Sequence, residues 1–263
     1  GFVELGLPEP EALEDRLQRV LETGERVELD EVRFGEGRGG RVYSLAAFAL
    51  SGDAVGLSLQ DVTERAMAAD VLRRQALHDG LTGLPNRLRL SERMREAIEA
   101  APEGAHVALL LMDLDHFKDV NDVLGHDQGD RLLVEVSRRL QRVVRRADTI
   151  ARLGGDEFAV LLTGEQAEQA ETIATYVRDA LEQPFRLGGI SVQTNASIGI
   201  ARFPEHGTEG ETLAQRADVA MYAAKRSKSP FSIYDPELDQ SSVRRLALLG
   251  ELQRECGLAL LFI

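Results

Sequence analysis

Two stretches of this 263-residue chain gather carboxylates where a folded backbone could hold a cation or an acid–base centre. The first is Asp113-Leu114-Asp115, which directly follows the apolar run ending at Met112. Side chains alternate along a strand, so Asp113 and Asp115 share a face while Leu114 points the other way with its carbonyl accessible. Two hard oxygen ligands at a strand end suit a divalent cation, although a solvated strand end has the same composition. The second stretch is ARLGGDEFAVLL at 151–162, where two apolar runs flank Gly154, Gly155, Asp156 and Glu157. A glycine pair lets the backbone turn tightly and approach a ligand, and the two acids then project into solvent or onto a metal. Ordinary hairpin loops share these residues, so the case for a site rests on the rest of the chain.

The elements that must position these acids follow from periodicity. Residues 106–112 read as a central strand buried on both faces, and 151–162 as a hairpin. Residues 117–122 read as a short helical turn, followed by a long helix that opens near 125–130 and is capped by Asp127 or Gly129. Leu132, Val136, Leu140, Val143 and Ala147 give that helix an apolar face, while Arg138, Arg139, Arg142, Arg145 and Arg146 form a local basic surface. A helix over 167–181, strands over 185–187 and 190–203 around Gly188-Gly189, a helix over 211–227 and a strand over 231–234 complete the region. The order implies an α+β fold with an antiparallel-rich sheet covered by helices.

Before this region, residues 10–23 carry Leu13, Leu17, Val20 and Leu21 at helical spacing, and three strands follow at 26–34, 41–50 and 54–60. Residues 64–77 lack Gly and Pro and form a linking helix, with Val62, Ala69, Leu72 and Ala76 along a heptad-like seam. After Tyr234, residues 240–255 place Val243, Leu246, Leu249 and Leu252 at helical spacing.

Composition narrows the function classes. Thirty-one Lys+Arg against 44 Asp+Glu give a formal charge of −13, which repels polyanions and argues against nucleic-acid binding. An anionic ligand therefore needs a local cation. The single cysteine, Cys256, excludes an internal disulfide framework, and a reducing cytoplasm fits. No run reaches the length of a membrane span. The start on Gly1 and the apolar end at 257–263 are those expected of a piece of a longer chain.

Five motifs together resemble one family. DGLTGLPNR at 79–87, DLDHFKDVND at 113–122, GHDQGD at 125–130, RLGGDEF at 152–158 and AMYAAK at 220–225 are similar, in order and spacing, to the GGDEF-domain diguanylate cyclases. The resemblance covers roughly residues 77–235. It implies a nucleotide-cyclase-like fold and a homodimer in which two GTP molecules are joined into cyclic di-GMP with release of pyrophosphate. It also implies roles. Asp113, Asp156 and the Leu114 carbonyl would hold Mg²⁺ or Mn²⁺ against the triphosphate, and the metal would supply the missing cation. Glu157 would deprotonate the attacking hydroxyl directly, through water, or by helping to hold a second metal. Asn121 and Asp130 would read guanine, whose donor and acceptor edge suits an amide and a carboxylate. Backbone N–H groups around His116, Phe117 and Lys118, with the Lys225 ammonium, would take the terminal phosphates, and Gly154 and Gly155 would let the substrate approach.

One departure stands out. Where the family has an arginine after this lysine, here the residue is Ser229, which implies weaker triphosphate binding unless Arg226 or Lys228 compensates. Arg145 and Asp148 match the family's RxxD inhibitory site for cyclic di-GMP. The flanks carry further resemblances: 1–63 to the C-terminal part of a PAS sensor domain, and 236–263 to the connector and first strand of an EAL phosphodiesterase domain. The expected organisation is a sensor segment at 1–63, a linking helix at 64–78, a GGDEF domain at 79–235 and a connector at 236–263. The competing function is a catalytically silent module that binds GTP or cyclic di-GMP and regulates an EAL domain.

Overall fold

A computed structural model of the chain describes residues 10–34, 40–50, 54–102 and 104–238. The expected connector helix at 240–255 lies outside the described residues. The chain divides between Ala76 and Leu77 into two compact units.

The first unit comprises α1 (Pro10–Thr23), β1 (Val27–Phe34), β2 (Arg41–Leu50), β3 (Ala54–Asp61) and α2 (Thr63–Leu77). The strands form an antiparallel sheet in the order β1-β2-β3. Leu17 and Val20 of α1 pack on Leu45 and Ala47 of β2, which is the amphipathic face expected for that helix, while Leu21 is exposed. The hydroxyl of Thr63 accepts the Val42 N–H at 2.9 Å and so ties the start of α2 to the sheet. Along α2 only Ala66 is buried, and residues 67–76, with the seam positions Ala69, Leu72 and Ala76, are exposed.

In the second unit, α3 (Arg87–Glu99) precedes β4 (Val107–Leu114), α4 (Phe117–Leu124) and α5 (His126–Val143). A hairpin of β5 (Thr149–Gly154) and β6 (Glu157–Thr163) leads into α6 (Glu165–Glu168) and α7 (Ala170–Glu182). Then come β7 (Phe185–Leu187), β8 (Ile190–Val192), β9 (Ala196–Phe203), α8 (Gly210–Ser227) and β10 (Phe231–Ile233). The main sheet has the order β10-β9-β4-β6-β5, antiparallel except for the β9–β10 pair. This is the α+β architecture that the sequence implies.

Helices cover both faces of this sheet, which is why β4 carries no polar residue before its end. Leu110, Met112, Phe158 and Ile198 pack against Leu132 and Val136 of α5 and Val177 of α7. Leu109, Leu111, Ala159 and Ala201 pack against Leu90 and Met94 of α3 and Leu213 and Ala217 of α8. Alternation then places Asp113 on the α3–α8 side. Helix α8 lies directly on β9 because Gly199 has no side chain: a β-carbon there would overlap the Ala217 carbonyl and the Met221 nitrogen. That close approach brings the C-terminal turn of α8 beside the end of β4.

The expected single strand over 190–203 is two. Among the described residues β8 pairs with β7 alone, and the strand breaks over residues 193–195 before β9 joins the main sheet. Thr194 donates to the Asp115 carbonyl at 2.7 Å, and the Asp115 N–H donates to the Asn195 carbonyl at 2.9 Å, so these backbone groups serve the loop after β4. Alternation of apolar residues does not register a break set by hydrogen bonds to another loop.

Candidate active site

The acids of the two stretches meet at the end of β4. In the sheet register Asp113 lies opposite Glu157 on β6 and Ser197 on β9. The Leu114 N–H donates to the Asp156 carbonyl at 3.3 Å, which closes the hairpin tip onto the strand end, while the Leu114 side chain is buried in the core. The Lys225 ammonium lies 2.5 Å from Asp113 Oδ1. Burial, then the neighbouring charge of Asp113, push the Asp156 carboxyl above the ordinary carboxylate range against the opposing pull of Lys225 and Arg152. Asp113, Asp156 and Lys225 thus share one electrostatic site. Asp115 is drawn off: its Oδ1 accepts from the Ser197 hydroxyl at 2.9 Å.

The tip itself follows from its glycines. Gly154 and Gly155 adopt φ of 139° and 52°, a region that side-chain-bearing residues rarely enter, and the ladder between β5 and β6 shifts register between Arg152 and Gly154. Arg152 fastens the turn. Its Nε and Nη2 donate to the Gly155 carbonyl at 3.1 and 2.7 Å, and its Nη1 reaches both oxygens of Asp79. Asp79 is also held by the Thr82 N–H at 2.8 Å and the Thr82 hydroxyl at 2.6 Å. Burial pushes its carboxyl up, but these hydrogen bonds and the Arg152 charge outweigh it and hold the group below its ordinary value. The sequence reading gave neither residue a role. Both stand inside quoted motifs, Asp79 opening DGLTGLPNR and Arg152 opening RLGGDEF.

Glu157 is held differently from Asp156. Its Oε2 lies 3.2 Å from Nη2 of Arg87, the first residue of α3. Arg87, too, stands at the end of a quoted motif without an assigned partner. The two adjacent acids therefore have separate cationic neighbours.

The elements after β4 build the other side. His116 turns the chain with φ of 61° and its ring pairs with Asp119 at 3.0 Å; Phe117 packs on the core, and Lys118 is exposed. The first N–H groups of α4, at Phe117 and Lys118, have no intrahelical acceptors. Neither Asp127 nor Gly129 caps α5. Gly125 does, taking the Gln128 and Gly129 N–H groups on its carbonyl while its own N–H closes α4 on the Asn121 carbonyl. Gly129 is instead buried against Asn121: a β-carbon there would overlap Asn121 Oδ1. Asn121 is half-buried, and Asp130 next to this glycine is exposed.

At the end of α8, Ser229 does not stand in for an arginine. Its hydroxyl donates to the Phe231 carbonyl at 2.9 Å. Arg226 lies over the Tyr222 ring, and Lys228 caps the helix in a left-handed conformation with φ of 54°.

Arg145 and Asp148 line a separate cavity of about 870 Å³ with Arg89, Arg93 and Arg146. Asp148 Oδ1 accepts the Thr163 N–H at 3.2 Å, whereas its Oδ2 is buried without a partner, and burial pushes the carboxyl up. The basic surface expected on α5 is smaller than its arginine count. Arg139 lies 3.5 Å over the Phe185 ring and donates to the carbonyls of Ala180, Gln183 and Pro184, so it caps α7 rather than facing a ligand.

Among the described residues no three His, Cys, Asp or Glu side chains converge as a metal cage. Asp113 and Asp156 nevertheless fit a hard cation. They are two partly buried carboxylates, with the charge of Asp113 adding to burial in pushing Asp156 up, and Mg²⁺ commonly takes only one or two carboxylates, completing its octahedron with water and phosphate.

Comparison with known proteins identifies the family. The profile of the family "Diguanylate cyclase, GGDEF domain" matches residues 76–230. The bifunctional diguanylate cyclase/cyclic di-GMP phosphodiesterase MucR of Pseudomonas aeruginosa is 41% identical over 194 residues, which are 73% of this chain and 28% of MucR. The solved GGDEF domain of TpbB from the same species is 41% identical with a TM-score of 0.59, covering 64% of this chain and 99% of that one. The coiled coil and GGDEF domain of DgcB from Caulobacter crescentus, solved with cyclic di-GMP, is 29% identical with a TM-score of 0.59, covering 66% of this chain and 92% of that one. The chain spans less than a third of the length of the first curated relatives it matches. The profile match, the shared fold and the meeting of Asp113 with the Gly154–Glu157 tip lead to one conclusion: the chain belongs to the GGDEF-domain family of diguanylate cyclases.

Proposed function

We propose that this chain is a diguanylate cyclase that joins two GTP molecules into cyclic di-GMP as a homodimer. The observation that carries the reading is the division of the hairpin acids: Asp156 shares a site with Asp113 and Lys225, while Glu157 pairs with Arg87. Asp113, Asp156 and the Leu114 carbonyl would hold Mg²⁺ or Mn²⁺, which when bound offsets phosphate charge. The N-terminal N–H groups of α4 and the Lys225 ammonium bind the terminal phosphates, and Asn121 and Asp130 orient guanine. Glu157 takes the proton of the attacking 3′-hydroxyl, directly or through water, as that oxygen bonds to the α-phosphate of the partner's GTP. The bond to the β-phosphate breaks and pyrophosphate leaves. Repetition in the opposite sense closes the ring, so two domains must face each other.

The exposed seam of α2 is the proposed dimer contact, residues 1–63 are the proposed sensor segment, and the cavity at Arg145 and Asp148 is the proposed product site. Supporting the last, Arg145 and Asp148 line one cavity, and the surrounding arginines suit phosphate. The second reading, a silent nucleotide-binding module regulating an EAL domain, is favoured by one observation: Ser229 is turned to its own backbone, which removes a phosphate contact. Incubation with GTP and Mg²⁺ followed by nucleotide separation distinguishes them. Formation of cyclic di-GMP supports the cyclase; GTP that binds and stays intact supports the module.

A further inference from the structure

Lys225, in the last turn of α8, sits against the acid at the end of β4. Its ammonium lies 2.5 Å from Asp113 Oδ1, and Asp113 is largely buried, with 17% of its side chain exposed. Of the two carboxylates read as metal ligands, Asp113 and Asp156, the first already carries a cation. The helix that bears Lys225 cannot retreat, because Gly199 and the buried Ala217, Ala220 and Ala224 seat α8 directly against the sheet. The side chain itself can move, being 51% exposed on four flexible methylenes.

We propose that Lys225 is a resident counter-ion of Asp113 that makes divalent metal and triphosphate bind as a unit. This rests on the reading of Asp113 as a metal ligand. A metal ion arriving alone must displace the ammonium or bear its positive charge a few ångströms away. A triphosphate offers the ammonium new anionic oxygens and releases Asp113. Lys225 thus contributes twice to substrate binding, by contacting phosphate and by withholding the metal site from a metal that comes without nucleotide. The acid pair is kept electrically satisfied between turnovers.

The test is a Mn²⁺ titration of the full chain without nucleotide, followed by the electron paramagnetic resonance signal of the free ion. The parent binds weakly. Lys225→Met binds about tenfold more tightly, the scale expected when a neighbouring unit charge is removed from a divalent ion. Lys225→Arg, which keeps the charge, stays as weak as the parent. Equal affinities of the parent and Lys225→Met, or no binding to either, overturn the proposal. Binding to Lys225→Met that is abolished by Asp113→Asn supports it. Tight binding that survives Asp113→Asn overturns the metal reading of Asp113, and the proposal with it.

Discussion

Arg152 Nη1 lies 3.0 Å from both carboxylate oxygens of Asp79, joining the turn before α3 to the hairpin tip that carries Asp156 and Glu157. The pair is largely shielded, with 10% and 20% of the two side chains exposed. Removing one partner strands the other charge. Arg152→Ala should cost about 2–3 kcal/mol of unfolding free energy in urea. It should also lower cyclase activity through the loosened tip. A variant as stable and as active as the parent would refute this anchoring role.

Glu157→Gln keeps the shape of the side chain and loses its capacity to take a proton. We expect GTP binding within a few-fold of the parent and a turnover rate lower by about a hundredfold or more. Equilibrium binding and product formation are measured on the same preparation. Full turnover would sink the assignment.

Gly129→Ala should act through Asn121, whose carboxamide occupies the hollow beside the glycine. The displaced group is the end of a flexible side chain, so the melting temperature should change little. Apparent GTP affinity should fall about tenfold, the scale of one or two hydrogen bonds. In an Asn121→Ala background the same change should have no further effect, and an additive loss would point to another cause.

Arg145→Ala should relieve product inhibition. Rates at rising cyclic di-GMP are compared with the parent, and initial rates without product should be unchanged. Inhibition that persists undiminished removes this cavity from the regulatory reading.

His206 predicts an acid-side loss of stability. Its Nδ1 accepts the Arg202 N–H at 3.0 Å and its ring lies edge-on to Tyr234, so the neutral form is built into the fold. Burial pushes its pKa down, and Glu205 only partly offsets this. A group depressed in the folded state binds fewer protons than in the unfolded chain, so stability falls as pH drops below the unfolded value of about 6.5. His206→Asn should flatten that part of the melting profile between pH 7 and 5. An unchanged profile would assign the loss to other groups.

How much of this was legible in the residues differs by element. The helices and strands of the second unit were readable because two-sided burial makes β4 and β6 continuously apolar, while α5 and α7 repeat at helical spacing. The break between β8 and β9 was not, since Thr194 and Asn195 there bond to the loop after β4. The Gly125 cap was missed because Asp127 is the better side-chain cap by type, whereas a backbone carbonyl made the bonds.

The sequence by itself determined the kinds of group available: two pairs of acids at a strand end and a hairpin tip, a lysine near a helix end, and an acidic chain in need of a cation. Their order and spacing also determined the family, because each motif is a local run. Tertiary structure alone decided the pairings. That Lys225 falls on Asp113, that Arg87 takes Glu157 and that Arg152 reaches Asp79 depends on α8 seating on Gly199 and on the β4–β6 register. Hydrogen bonds need contact and Coulombic attraction weakens with distance, and only the folded chain brings residues so far apart in sequence together.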